Sequence, residues 1–354
     1  MASKDRPLRI ATCGLGAGKV HVRGLAADPR VKMVAICDAL PDRLKAVSQE
    51  YKIERTYTDY DEMLNDKTLE LDAVTLALPN NLHAPFTIKA LKKGLHVLCE
   101  KPMADSLKAA KQMLDAAAKA RRKLMIHFNY RFTPQAHFLK RMITDGVLGK
   151  IYYGRTGWLR RRGIPMGTGW FSCKEQAGGG PLIDLAVHRI DMAWYLMGKP
   201  EPVAVSGATF DHIMTRIRKV KCPKGKQFTV EDLAAGMIRF KDGTVLMVEA
   251  SWDGYFEKRE NMWTHIVGDK GGLLHENVGE GYDFRAKAIT DSGEFAIDIS
   301  PAVYPKELES VEAHFVRSIV EDFEPEGCAK DGYAIQKMLD GMYRSAALGR
   351  EVRV

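Results

Sequence analysis

The stretch Leu8-Arg9-Ile10-Ala11-Thr12-Cys13-Gly14-Leu15-Gly16-Ala17-Gly18-Lys19-Val20-His21 decides the fold. Leu8 to Cys13 reads as a buried strand. The glycines after it let the backbone turn tightly and approach a pyrophosphate, while the next helix offers its N-terminal amides to the negative charge. In a G-x-G-x-x-G pattern the third glycine would stand at 19, where this chain has Lys19, so the loop is one residue shorter and Gly18 closes it. A second strand, Val31 to Cys37, ends at Asp38, 24 positions after Gly14. A carboxylate there accepts hydrogen bonds from an adenosine ribose 2′-hydroxyl and repels the 2′-phosphate of NADP, so NAD is the expected cofactor and NADP the disfavoured one. The competing reading of Asp38 is a turn cap before Pro41. Arg43 either stacks on adenine or stays solvated on its helix.

The same rhythm continues outward. Ala73 to Leu78, Leu95 to Cys99 and Leu124 to Phe128 read as further strands. Before the last of them, Asp105 or Ser106 caps a helix whose Leu107, Ala110, Leu114 and Ala117 form one apolar stripe. Strands separated by helices require crossovers and hence a parallel sheet. The expectation is an α/β chain with a doubly wound Rossmann domain over residues 1–130, ligands lying beyond the carboxyl ends of its strands. After residue 130 the pattern changes. Thr133-Pro134 opens a helix to Asp145, and Gly180-Pro181 opens another to Met197 with Gly198 beyond its end. Strand-like runs lie at 151–159, 203–210, 234–240, 244–252 and 262–267, with Asp242-Gly243 as a hairpin turn, and 335–348 reads as a terminal helix. Residues 131–354 are therefore expected to form an α+β domain with a mostly antiparallel sheet.

Length and composition agree with two ordinary cores: the chain has 354 residues, 45% hydrophobic and 28% charged, and single cores stop growing at roughly 250–300 residues. The net charge of +8 is concentrated at 119–123, 160–162 and 216–226. These runs contain no aromatic residue and no nucleic-acid-binding motif accompanies them, so a solvated or anion-steering surface is expected, not a nucleic-acid interface. The six cysteines include no Cys-x-x-Cys pair, which points to a reducing cytoplasm. Neither a signal-peptide core nor a membrane-spanning run is present in the sequence pattern.

Several segments together carry a resemblance. Asp72-Ala73-Val74, then Leu78-Pro79-Asn80-Asn81-Leu82-His83, then Gly94-Leu95-His96-Val97-Leu98-Cys99-Glu100-Lys101-Pro102 are followed by Asn129-Tyr130-Arg131. Gly178-Gly179-Gly180-Pro181-Leu182-Ile183-Asp184 comes next, with His188 and Asp191 beyond it. In this order and spacing they resemble the glucose-fructose oxidoreductase, inositol dehydrogenase and rhizopine-catabolism (Gfo/Idh/MocA) family. The resemblance implies a bound nicotinamide cofactor, a large open sheet in the C-terminal domain, and a homodimer or homotetramer assembled through that sheet. It implies cofactor contacts from Gly14, Gly16, Ala17, Gly18, Asp38, Arg43, Leu78, Pro79, Asn80, Glu100, Lys101 and Asn129, with His83 a turn or cofactor contact. It also implies that the Lys101-Pro102 bond is cis and that Lys101 touches both the substrate hydroxyl and nicotinamide.

The chemistry of the residues supports catalysis. Lys101 follows a strand's carboxyl end, and Pro102 excludes helical geometry there; its alternative role is a surface pair with Glu100. Asp184 and His188 stand at i and i+4, so on a helix they share a face, and an imidazole beside a carboxylate is an acid/base pair. By resemblance His188 is the base and Asp184 its partner and substrate ligand. Asp191 extends that face, leaving open a metal reading, as well as one in which all three are ordinary helix polar groups. Arg131 is a further substrate candidate, as are Arg160, Arg161, Arg162 and Trp170, which precede the glycines in an expected loop over the site, and His265 faces either a pocket or the core. The expected activity is NAD-dependent oxidation of a secondary hydroxyl of a sugar, glycoside or cyclitol to a ketone. The substrate is expected between the two domains. The alternative is an NAD-dependent glycosidase working by transient oxidation, elimination and re-reduction; a third is a nucleotide sensor without a reaction.

Overall fold

The computed structural model describes residues 6–163, 169–219, 228–305 and 308–354. The chain packs into two units, Met1–Phe128 with Glu309–Tyr333, and Asn129–Leu308 with Ala334–Val354. The first holds β1 (Leu8–Cys13), α1 (Lys19–Ala26), β2 (Val31–Cys37), α2 (Pro41–Tyr51), β3 (Thr56–Tyr57), α3 (Tyr60–Asn65) and β4 (Ala73–Leu76). These are followed by α4 (Asn80–Lys92), β5 (His96–Cys99), α5 (Leu107–Ala120) and β6 (Leu124–Ile126). Its six strands are all parallel, in the order β3-β2-β1-β4-β5-β6. The strands are apolar on both faces because helices cover both; Val22 of α1 packs with Leu15, Ile36, Leu44, Val47 and Ile53 in one core cluster. Ser106 caps α5 by accepting the Ala109 N–H. Gly14, Asp38, Ala77, Glu100 and His127 each follow a strand's carboxyl end, where a sheet of this kind gathers its ligand contacts.

The second unit begins with α6 (Pro134–Thr144), capped by Thr133, then β7 (Ile151–Arg160) and the short α7 (Lys174–Ala177). A π-helical turn, Leu182–Ala186, leads into α8 (Val187–Leu196). There follow β8 (Pro202–Phe210), β9 (Leu233–Phe240), β10 (Val245–Ser251), β11 (Glu260–Gly268), β12 (Gly271–Asn277), β13 (Phe284–Ser292) and β14 (Phe295–Ile299). The chain then returns to the first unit with α9 (Val311–Val320) and the start of α10 (Ala329–Leu348), whose remainder and β15 (Val352–Arg353) belong to the second. The nine-stranded sheet has the order β14-β13-β12-β11-β7-β10-β9-β8-β15. Only its β7–β10 pair is parallel. Gly243, at φ +89°, makes the β9–β10 turn, the conformation glycine tolerates best.

Two features differ from the sequence pattern. A single boundary at 130 does not describe the chain, because Glu309–Tyr333 folds back onto the first unit. There the Gly327 carbonyl accepts the Ile126 N–H at 2.7 Å and Cys328 bridges Met125 at the β6 edge. Strands β12 to β14 were also not anticipated: β12 turns His275 and Asn277 inward, β13 presents only Ala286 and Ala288 to the core, and β14 is largely exposed. Apolar alternation therefore never develops. Among the described residues five cysteines are free thiols, and no helix is long and apolar enough to cross a membrane. Cys222 and the basic stretch 220–226 lie outside the described residues.

Candidate active site

In the first unit the glycine loop is built for close backbone approach. Gly14 has φ +88°, and a Cβ on it would collide with the Ala77 carbonyl; one on Gly18 would collide with the Gly14 carbonyl. Gly16 and Ala17 are exposed at the loop's crest, and no side chain caps α1 at Gly18. Asp38 is 7% exposed. Its Oδ2 accepts the Leu15 N–H at 2.7 Å and its Oδ1 the Leu40 N–H at 2.9 Å, so the carboxylate braces the loop. Arg43 reaches to 3.7 Å from the same carboxylate and lies over Gly16. A glycine cradle that a side chain would fill, ending in a carboxylate, fits an adenine dinucleotide of the NAD type.

Lys101 stands on the turn after β5, half-buried, in a cis bond to Pro102. Its backbone N–H donates to Glu100 Oε2 at 3.1 Å. The fully buried His83 ring wedges against this turn: Nδ1 lies 2.8 Å from the Pro102 carbonyl and Nε2 2.9 Å from the Leu78 carbonyl. Burial pushes the His83 imidazole below its usual pKa. His83 therefore ties the Leu78-Pro79 turn, where Asn80 is buried at the start of α4, to the Lys101 turn.

In the second unit a cluster gathers around the π-helical turn. Trp252 Nε1 donates to Asp184 Oδ2 at 3.0 Å. His188, half-buried, packs edge-on to Tyr130 at 5.3 Å and tilted against Trp158 at 5.8 Å. Glu260 Oε1 accepts from Trp158 Nε1 at 2.7 Å and Arg160 Nε at 2.8 Å, and the Arg160 guanidinium also donates to the Tyr282 hydroxyl. Burial alone would lower the Arg160 pKa, but the Glu260 hydrogen bond and nearby charges, Asp184 among them, raise it. Beneath the turn, the buried Glu231 carboxylate accepts the Gly180 and Leu182 N–H groups at 2.9 and 3.0 Å and the Tyr343 hydroxyl at 2.9 Å. One buried carboxylate thus fixes the triple-glycine entry to Asp184. The π turn is a correction to the expected continuous helix. It winds more than 3.6 residues per turn, so Asp184 and His188 are not related by simple α-helical i, i+4 geometry, and π turns concentrate at functional sites.

The sequence profile described as "Oxidoreductase family, NAD-binding Rossmann fold" matches residues 8–128. That of the "GFO/IDH/MocA C-terminal domain" matches residues 137–274. The chain belongs to the Gfo/Idh/MocA oxidoreductase family. It is 32% identical to D-glucoside 3-dehydrogenase of Escherichia coli over an alignment 367 positions long, covering 100% of this chain and 99% of that one. It is 30% identical to levoglucosan dehydrogenase of Pseudarthrobacter phenanthrenivorans, covering 96% of each chain. A solved levoglucosan dehydrogenase in complex with NADH and levoglucosan superposes with a TM-score of 0.85 at 25% identity, covering 99% of this chain and 100% of that one.

Within this family frame the expected residues divide. The cradle residues and Lys101 stand at strand ends of the first unit, and Asp184 and His188 flank one turn of the second. Arg131, expected to contact substrate, is buried. Its guanidinium lies on Asp191, Nη2 to Oδ1 at 2.6 Å, with both side chains 1% exposed. The same pair answers the metal reading of Asp191, whose carboxylate serves as the counter-ion of a buried arginine. Arg161 turns to the Phe256 carbonyl, its Nε donating at 2.6 Å, while its neighbour Arg160 joins the Asp184 cluster. Trp170 stacks on Phe171 at 3.8 Å; residues 164–168 lie outside the described residues. His265 accepts from Arg155 Nε at 3.0 Å on β11. Asn129 is exposed at the start of a 3-10 turn, Asn129–Phe132. Missed in the sequence were Trp158, Glu260, Tyr282, Trp252 and Glu231. Strand alternation in β7 held the signal for the first, because Trp158 and Arg160 share a face that Arg161 cannot.

Proposed function

We propose that the protein is an NAD-dependent dehydrogenase that oxidises a secondary hydroxyl of a sugar, glycoside or cyclitol to a ketone. The observation that carries this reading is Lys101 on the turn directly beyond β5, in a domain whose glycine cradle ends in Asp38. Gly14, Gly16, Ala17, Gly18, Asp38, Leu78, Pro79, Asn80 and Asn129 hold the dinucleotide, with Arg43 beside Asp38. When bound, oxidised nicotinamide supplies the hydride acceptor. This chain supplies the rest. An imidazole nitrogen of His188 takes the hydroxyl proton, Asp184 holds the substrate and favours the imidazolium that results, and the Lys101 ammonium stabilises the developing alkoxide. Tyr282 and Arg160, backed by the buried Trp158, present the aromatic and hydrogen-bonding surface that a sugar ring needs. The names of the relatives, both dehydrogenases of carbohydrate substrates, support the same substrate class.

The free buried thiols favour a reducing compartment, the cytoplasm. Assembly as a homodimer or homotetramer through the nine-stranded sheet is supported by apolar side chains exposed on its strands, Tyr152, Met247, Phe295 and Ile297. The test is a panel of hexoses, inositols, sugar acids and glycosides incubated with NAD and with NADP while reduced nicotinamide is followed. Turnover with NAD that is lost in both Lys101→Met and His188→Ala supports the proposal. Full activity in either variant, or a preference for NADP, overturns the role assigned to that residue or to Asp38.

A further inference from the structure

Behind the Lys101 turn, four ionisable side chains from four separate elements close into a ring. Glu100 Oε1 lies 3.2 Å from His21 Nε2 and 3.0 Å from His127 Nδ1. Glu312 Oε1 lies 2.9 Å from His21 Nδ1 and 3.7 Å from His127 Nε2. His21 comes from α1, Glu100 from the end of β5, His127 from the end of β6 and Glu312 from α9. The two imidazoles meet edge to face at 4.6 Å. The side chain of His21 is 0% exposed and that of Glu312 6%. A glycine in a helix weakens it, yet Gly24 of α1 leaves room for the Glu312 carboxylate, which a Cβ at 2.9 Å would displace.

A buried carboxylate, Glu312, and a half-buried one, Glu100, need positive charge beside them. The titratable groups facing His21 are Glu100, His127 and Glu312; Lys19 of its own helix pairs with Glu50 of α2 at the surface, and Arg23 is exposed. His21 Nδ1 is hydrogen-bonded to Glu312 and Nε2 lies within ion-pair reach of Glu100, an arrangement that suits the imidazolium. Burial opposes that charge, but the two carboxylates outweigh burial and raise His21 from 6.5 to about 9. The other oxygen of Glu100 accepts the Lys101 N–H. A single carboxylate therefore joins the ring to the backbone of the proposed catalytic lysine.

We propose that His21, His127 and Glu312 are positioning residues for Lys101, a ring of shared protons that holds Glu100 and through it the Lys101 turn. The catalytic consequence rests on the role given to Lys101 above; the coupling between ring and turn does not. The ring loses a proton as pH rises through about 9, and the Lys101 amide should report it.

The experiment follows the Lys101 backbone amide and the His21 ring nitrogens by NMR in the full-length protein across pH, in the wild type, Glu312→Gln and Gly24→Ala. The second variant keeps every charge and only displaces Glu312. The expected result is a common midpoint near 9 for ring and amide in the wild type, moved down by at least about one unit in Glu312→Gln and in the same direction in Gly24→Ala. With NAD and the sugar the panel identifies, kcat of Glu312→Gln should fall about tenfold and its alkaline limb should move with the amide, while KM for NAD changes less than about twofold. An amide that does not titrate with His21, or a midpoint unmoved in whichever variant folds, overturns the proposal. So does stoichiometric divalent metal in the purified protein, since a metal would replace the protons. If Lys101→Met keeps full turnover while the amide still follows the ring, the catalytic role given to Lys101 fails and the coupling stands.

Discussion

Replacing Asp38 with asparagine is the most discriminating single change in the cofactor cradle, because the two side chains have the same shape and differ in charge and in donor count. In the wild type both carboxylate oxygens accept backbone N–H groups, from Leu15 at 2.7 Å and Leu40 at 2.9 Å. An amide has one acceptor oxygen, so whichever way Asn is turned, its NH2 faces one of those donors. Losing a hydrogen bond to a charged group costs about 1.5–3 kcal/mol, or roughly a factor of 10 to 150 in an equilibrium constant. Much of that cost falls on NAD binding, because the braced loop is the dinucleotide cradle and the ribose loses an ionised acceptor. For NADP the same loss is offset by removal of a like-charge repulsion, worth about 1 kcal/mol even with the full screening of bulk water. The dissociation constant for NADH should therefore rise about tenfold to a hundredfold, and the preference for NADH over NADPH should narrow by about fivefold or more. Fluorescence titration of the full-length variant with each reduced cofactor measures both quantities, and a urea transition in the same buffer shows that the variant is folded. A folded Asp38→Asn protein whose two dissociation constants stay within twofold of the wild type would refute the assignment of Asp38 to the cofactor.

Three further predictions concern the second unit, which contains all five tryptophans, so that tryptophan fluorescence reports its unfolding. Asp191→Asn strands the Arg131 guanidinium in a site where both partners are 1% exposed and should cost about 3–5 kcal/mol in urea unfolding, whereas Arg131→Met with Asp191→Leu together should recover most of that loss. Trp252→Phe keeps a ring but removes the donor to Asp184 at 3.0 Å; kcat/KM for the sugar should fall about tenfold with NADH affinity unchanged. Glu231→Gln leaves one of its donors, the Gly180 N–H, the Leu182 N–H or the Tyr343 hydroxyl, facing an amide NH2, and should lower kcat about tenfold while NADH titration is unaffected.

Local chemistry made the first unit legible. Every long strand of the parallel sheet is a short apolar run, and the glycines and Asp38 report backbone geometry directly. The two-residue β3 has too few side chains to show a period. The return of Glu309–Tyr333 is non-local: nothing near Glu312 signals that its partner is His21, almost three hundred residues earlier. In the second unit the hairpin at Asp242-Gly243 and the Thr133 cap are local and were readable, whereas β12 hides behind inward His275 and Asn277. The site shows the same division. Lys101, Asp184 and His188 stand in compact motifs, but the groups that support the π turn and its surroundings, Glu231, Trp252 and Glu260, are distant in the chain. Arg131 shows the same limit, since a motif arginine is readable as such while its burial against Asp191 is not.

The central claim is that this chain moves hydride from a carbinol carbon of a sugar or cyclitol to NAD. Its most direct test uses a panel substrate deuterated at the ring carbons that bear secondary hydroxyls, with mass spectrometry of the nicotinamide after turnover. One deuterium in each reduced cofactor, matched by one equivalent of ketone, is the result expected here. Ketone formed with unlabelled nicotinamide, or aglycone released with no reduced cofactor at all, would contradict it.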